Sequence, residues 1–254
     1  MQRYYVPKEN WQTTSVRLSS KDAHHVQRVM RQQVGDKLIC NHPDGKAAIC
    51  MIEEIDGKAI YVKVKEWLEE DAELPIHVTI AQGLPKGSKL ELILQKGTEL
   101  GATSFQLFEA DRSISKWDQK KTSNRLNRYD KIVKEASEQC HRTHKPSVYA
   151  PKSLHAMVEE FNLYDYVLFA YEEEAKQTTA SSHSFAKVLN NVQTDAKVLA
   201  IVGPEGGFSA QEVKLLIDSG ATPIRLGKRI LRTETASMYI LASISYHFEE
   251  LRCK

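Results

Sequence analysis

Two runs, Tyr166-Val167-Leu168-Phe169-Ala170 and Val198-Leu199-Ala200-Ile201-Val202, are almost wholly apolar and show no alternation. A strand with water on one side alternates apolar and polar residues; one that does not alternate must be covered on both faces. The runs therefore suit central parallel strands with helices above and below. The flanking sequence agrees. Ile76–Ala81 reads as a strand, Ser88–Leu100 as a helix with Leu90, Ile93 and Leu94 on one face, and Thr103–Glu109 as a strand. Asn124–Cys140 reads as a long basic helix. Ser209-Ala210-Gln211-Glu212 is a capping box before Val213, Leu215, Leu216 and Ile217. Pro223–Leu226 reads as a strand and Glu234–Glu250 as a final helix. Alternating strands and helices predict an α/β sheet whose binding residues sit at the carboxyl ends of its strands.

The chain begins differently. Arg3–Val6, Lys37–Asn41, Lys46–Ile55 and Lys58–Trp67 read as short strands, with turns at Pro43-Asp44-Gly45 and Asp56-Gly57. Between the first two, Ser19–Asp22 supplies capping oxygens for a helix. Its Val26, Val29 and Met30 share a face, His25, Arg28 and Arg31 fall elsewhere on the wheel, and Gly35-Asp36 ends it. Short strands with tight turns predict a small β-barrel. The acidic stretch Glu66–Glu73, running into Pro75, divides the chain into domains 1–72 and 73–254.

Composition excludes several classes. Hydrophobic residues make up 41% and the formal charge is +2, which is incompatible with intrinsic disorder. No apolar run reaches the ~18 residues of a membrane span, and Met1–Pro7 lacks the apolar stretch of a signal peptide. Cys40, Cys50, Cys140 and Cys253 show no CxxC spacing, as expected of free thiols in a cytoplasmic protein. Cys40 and Cys50 face each other across a hairpin as packing rather than as a disulfide. Cys140, His141 and His144 lack an evident fourth ligand, so no metal is expected. Charge is uneven: Met1–Lys37 carries net +4, Arg112–Lys145 net +6, and Glu66–Glu73 has five acids and no cation. Two basic regions flanking an acidic strip could clamp a polyanion; charge alone favours ordinary solvated helix faces.

Two loops concentrate the chemistry. Val202-Gly203-Pro204-Glu205-Gly206-Gly207-Phe208-Ser209 takes a buried strand through three glycines into a capped helix. Glycine lets a ligand approach the backbone. A tight turn accounts for one or two of the glycines but less well for Glu205 held between Pro and Gly. The stretch is neither GxGxxG nor a Walker A loop. The second loop, Leu226-Gly227-Lys228-Arg229-Ile230-Leu231-Arg232-Thr233-Glu234-Thr235-Ala236, also opens a helix. Its Ile230 and Leu231 serve equally as walls for an adenine or as core. Arg229 and Arg232 oppose the helix dipole, a conflict that an anionic ligand or RNA phosphate would resolve.

These loops resemble the signatures of the RsmE family, the 16S ribosomal RNA uridine-N3 methyltransferases of the SPOUT superfamily. The likeness extends to Gly83-Leu84-Pro85-Lys86-Gly87, Gln95-Lys96-Gly97-Thr98-Glu99-Leu100-Gly101, Arg112-Ser113, Glu135-Ala136 with Glu138-Gln139, and His25–Arg31 with Gly35-Asp36. It departs at Cys140-His141 and at Lys228. The resemblance implies an N-terminal PUA-like RNA-binding β-barrel and a C-terminal SPOUT α/β domain with a deep trefoil knot, a rare topology. It implies an S-adenosyl-L-methionine pocket built from three loops: that after Ala170, with Tyr171; that of Val202, Gly203, Glu205 and Gly206; and that of Leu226, Gly227, Ile230 and Leu231, with Thr235 and Ala236 behind it. It also implies a homodimer acting on 16S rRNA of the small ribosomal subunit.

Within that frame Arg232 is the candidate to stabilise the imidate that develops on uracil when N3 loses its proton. Glu205 and Glu234 are candidates to orient the substrate, balance the sulfonium or accept the proton. Phosphate contacts are expected from Arg3, Arg28, Arg31, Lys86, Lys96, Arg112 and Arg142. The rivals are a SPOUT ribose 2′-O-methyltransferase and a non-catalytic RNA-binding assembly protein on the same fold.

Overall fold

The computed structural model describes residues 1–69, 72–114, 117, 119–171 and 185–252. The chain forms two compact units, one of Met1–Glu73 with Lys134–Lys145, the other of Leu74–Val133 with Pro146–Lys254.

The first unit is a five-stranded sheet in the order β1-β3-β4-β5-β2. Its strands are β1 (Arg3–Tyr5), β2 (Ser15–Leu18), β3 (Lys37–Asn41), β4 (Ala47–Asp56) and β5 (Ala59–Leu68). β1 runs parallel to β3 and the other pairs are antiparallel. Tyr4, Leu18, Leu38, Ile52, Ile60 and Val62 fill the interior. Cys40 and Cys50 are buried and free, and they are offset by one step, since Leu38 pairs Cys50 and Cys40 pairs Ala48. Cys253 lies outside the described residues.

The helix here departs from expectation. α1 (Ser20–His24) has Ser19 at its N-cap, but no side-chain capping bond forms. It passes into a π turn over His25–Val29, where Met30 N–H donates to His25 O at 2.9 Å. The wider turn rotates the following residues off the apolar stripe. Val26 is buried, while Val29 and Met30 are 59% and 42% exposed. The helix ends there, with Arg31 at φ 54°, and not at Gly35, which turns the chain (φ 95°) toward β3.

Lys134–Lys145 belongs to this unit through polar anchors. The helix α3 (Gln119–Gln139) carries Lys134, which pairs with Asp22 and Glu138, both at 2.9 Å, and Glu138 accepts Tyr5 N–H at 3.1 Å. Beyond it, Glu73 accepts Arg142 Nε, Thr143 N–H and His144 N–H, each at 3.0 Å. Burial alone would raise the Glu73 carboxyl, but the Arg142 guanidinium outweighs it and holds the group below its usual range.

The second unit is a six-stranded parallel sheet in the order β11-β9-β10-β6-β7-β8. The strands are β6 (His77–Gly83), β7 (Ser104–Glu109), β8 (Ser147–Ser153), β9 (Tyr166–Ala170), β10 (Lys197–Val202) and β11 (Thr222–Ile224). Helices α2 (Lys89–Glu99), α4 (Leu154–Val158), α5 (Phe185–Asn191), α6 (Ala210–Asp218) and α7 (Thr233–Ser245) accompany them. β10 behaves as its unbroken apolar run requires. Val198, Ala200 and Val202 join a cluster with Ile80, Leu94 and Ile240, whereas Leu199 and Ile201 join another with Phe108, Phe169 and Leu216. No described helix is long and apolar enough to cross a membrane, and the described residues hold no cluster of potential metal ligands.

Candidate active site

β10 delivers Val202 into the Gly203–Phe208 loop, and three neighbours fix that loop's path. Ser209 Oγ accepts Glu212 N–H at 3.2 Å while Glu212 Oε2 accepts Ser209 N–H at 2.7 Å, the capping box that starts α6. Phe208 packs against Phe108 and Phe169, with ring centroids 6.4 and 6.0 Å away. Arg112 Nη1 donates to Gly206 O at 3.0 Å. Contact is close enough to require glycine on both sides: a Cβ on Gly83 would stand 2.7 Å from the Pro204 ring, and one on Gly206 2.9 Å from Arg112 Cβ.

The second loop leaves β11 at Ile224, turns at Gly227 (φ 93°) and enters α7 with Arg232 at the N-cap. Thr233 ties it to its neighbours. Its Oγ1 donates to Gly203 O at 2.7 Å and accepts from Gln82 Nε2 at 2.8 Å, and Gln82 Oε1 accepts from Ser237 Oγ at 2.7 Å. Gln82, Thr233 and Ser237 are all buried. In such surroundings each unsatisfied group would cost about 1–3 kcal/mol, so the network fixes the ends of β6 and β10 and the start of α7 relative to one another.

Between the loops lies a cavity of about 450 Å³, within the range of small-molecule sites. Ala170, Tyr171, Val202, Gly203, Glu205, Gly206, Leu226, Ile230, Leu231, Arg232 and Ala236 line it. Residues 172–184 of the loop after Tyr171 lie outside the described residues. Gly227 and Thr235 are not in the wall: Gly227 supplies the turn, and Thr235 sits exposed on α7. Leu231 is half-buried against the core, whereas Ile230 is 70% exposed, which separates two residues that their sequence leaves equivalent. Sequence reading missed Lys89, Phe208, Ile224 and Thr233 as lining residues and gave Arg112 only an RNA role. For Lys89 a signal existed: a cation in the first turn of a helix opposes its dipole.

The three predicted catalytic side chains are differently placed. Arg232 is exposed at the cavity. Glu205 Oε1 accepts Lys86 N–H at 3.1 Å and the Lys89 ammonium at 2.8 Å. Burial pushes the Glu205 carboxyl up, but the Lys89 bond and charge prevail and hold it below its ordinary value. Glu234 has a largely buried side chain whose Oε2 lies 3.7 Å from Lys89 Nζ.

The predicted phosphate contacts divide. Arg28 and Arg31 are exposed on the first unit, and Lys86 and Arg112 on the second. Lys96 pairs with Glu99 on its own helix at 2.8 Å. Arg3 and Arg142 are 1% and 3% exposed. Arg3 Nη1 donates to Asn41 Oδ1 at 3.4 Å, and Arg142 is spent on Glu73. Both belong to the interior of the first unit and not to an RNA face.

The RNA methyltransferase domain family matches residues 72–245, and the RNA methyltransferase PUA domain family matches residues 18–65. A Bacillus subtilis protein named ribosomal RNA small subunit methyltransferase E is 40% identical, with 99% of each chain covered. The chain belongs to the ribosomal RNA small subunit methyltransferase E family. Members of known structure share the fold throughout. A Neisseria gonorrhoeae methyltransferase E bound to S-adenosyl methionine has 26% identity and a TM-score of 0.84, with 98% of each chain covered. A Legionella pneumophila methyltransferase solved with its cofactor SAM has 30% identity and the same TM-score, covering 97% of this chain and 98% of its own. The family match makes the chain a methyltransferase with a PUA-like first domain.

Proposed function

We propose that the protein transfers a methyl group from S-adenosyl-L-methionine to N3 of a uridine in 16S rRNA of the small ribosomal subunit. The carrying observation is the cavity enclosed by the Gly203 and Leu226–Leu231 loops at the carboxyl ends of β10 and β11. Its walls fit the cofactor. Ile230 and Leu231 offer apolar surface for an adenine, Gly203 and Gly206 let backbone approach a ligand, and Glu205 brings negative charge suited to a sulfonium. When bound, S-adenosyl-L-methionine supplies an activated methyl group, so the protein's task is orientation and charge.

Arg232 faces the negative charge that develops on a uracil oxygen as N3 loses its proton. Glu205, held ionised, orients and balances charge, and the N3 proton passes to Glu234 or to water. Arg28 and Arg31 of the PUA-like domain and Lys86 and Arg112 of the catalytic domain contact phosphates. We extend the reading to a cytoplasmic homodimer whose C-terminal segment is knotted.

The test is methyl transfer to small subunits lacking the modification and to naked rRNA, followed by nucleoside analysis. 3-Methyluridine is expected; a 2′-O-methylated nucleoside favours the ribose-directed rival, and absence of heat on titration with S-adenosyl-L-methionine favours a non-catalytic RNA-binding protein. In the same assay, Arg28→Ala and Arg31→Ala are each expected to weaken RNA binding and to reduce the salt slope by about one. An unaltered slope in both moves the RNA face elsewhere.

A further inference from the structure

The first turn of α2 brings to the cavity a group that the reaction as derived above does not use. Lys89 is the first residue of the helix, where a cation opposes the macrodipole. Its ammonium bridges two carboxylates from separate segments: Glu205 Oε1 at 2.8 Å on the loop after β10, and Glu234 Oε2 at 3.7 Å on α7. Lys86 N–H, three residues earlier, donates to the same Glu205 oxygen at 3.1 Å. Glu234 Oε2 is buried and makes no hydrogen bond among the described residues, so the Lys89 charge is the compensation shown for it. Arg232 is close enough to be felt by Lys89 as a like charge.

We propose that Lys89 is a positioning residue of the methyl-transfer site: its ammonium anchors the Glu205 loop to the start of α2 and bridges that loop to Glu234 on α7. This rests on the methyltransferase reading above. The physical need is clear. Two carboxylates brought together without a cation repel one another, and one is driven to bind a proton. A protonated Glu205 would not balance a sulfonium. Lys89 faces both carboxylates, the Lys86 amide donates to Glu205, and Arg232 lies within electrostatic reach of Lys89.

The sign follows. A cation beside a carboxylate depresses its pKa, so removing the cation raises it, and activity that depends on the ionised form is lost at a higher pH. Lys89→Met is expected to lower kcat/KM for transfer about 10- to 100-fold and to move the acidic limb of its pH profile upward by about one unit, with Lys89→Arg restoring the limb. The independent readout is carbon-detected NMR titration of the glutamate carboxyls in the ligand-free protein, where Glu205 titrates at higher pH in Lys89→Met than in wild type. Should that variant not fold, Lys89→Gln, which keeps a polar donor on a shorter stem without the charge, carries both measurements. A Glu205 titration and an acidic limb that stay put in a folded, uncharged variant overturn the proposal. A wild-type protein that takes up no S-adenosyl-L-methionine would instead defeat the reading of the cavity, while the ligand-free titration still reports on Lys89.

Discussion

The two loops around the cavity are built on opposite plans. The Gly203–Phe208 loop is held in place: a capping box closes its far end, Phe208 is wedged between two rings, Arg112 and Lys89 bind its backbone and its carboxylate, and Gly83 leaves just enough room for Pro204. The Gly227–Arg232 loop is anchored by Leu231 against the core and where Thr233 enters the buried network, and it presents Arg229, Ile230 and Arg232 to solvent. The pinned loop thus supplies a preformed wall, whereas the open loop leaves the side chains of Arg229, Ile230 and Arg232 in solvent.

This contrast can be broken by substitution. The largest effect is expected at the open loop, from Arg232→Ala. Methyl transfer falls about 10²- to 10³-fold, as on removing one donor to a developing oxyanion, while cofactor affinity and thermal midpoint remain near wild type. Unchanged turnover removes Arg232 from its role. Next is Gly83→Ala in the pinned wall. The added methyl meets the Pro204 ring, and overpacking of this kind costs about 1–3 kcal/mol, read as a lowered urea midpoint together with weaker S-adenosyl-L-methionine binding by calorimetry. An unaffected midpoint would show that the wall is not rigid. The smallest effect is expected from Ile230→Ala. Stability does not change, because the side chain is already in water, and cofactor affinity drops by about 1–2 kcal/mol of lost apolar burial. If stability falls instead, Ile230 is packed in solution and the contrast between the loops fails.

Much of this was legible in the sequence. The lack of alternation in β9 and β10 predicts burial on both faces, and the Ser209–Glu212 spacing predicts a cap that forms as drawn. Local rules suffice where the cause is local. They fail where partners are distant in sequence. Nothing near Arg3 or Arg142 announces the Asn41 and Glu73 groups that take them into the interior, so composition places them on a surface. The helix α3 continues unbroken through Val133, so its periodicity does not reveal that Lys134–Lys145 joins the first unit. β8 escapes notice because as an edge strand it is largely exposed and lacks an apolar run. The π turn at His25–Val29 defeats a wheel drawn at the α-helical period. Lys89 did leave a local sign, a cation opposing the dipole at the start of α2, but not the distant carboxylates that it meets.

The most direct test is hydrogen exchange of the full chain with and without S-adenosyl-L-methionine. The account predicts that amides of 227–232 exchange readily in the free protein and gain strong protection with the cofactor, while the Gly207 amide, bonded to Pro204 O at 2.9 Å, is protected at the outset and changes little. Equal gains in both loops would contradict the preformed wall, and no gain in either would contradict the cavity as the cofactor's place.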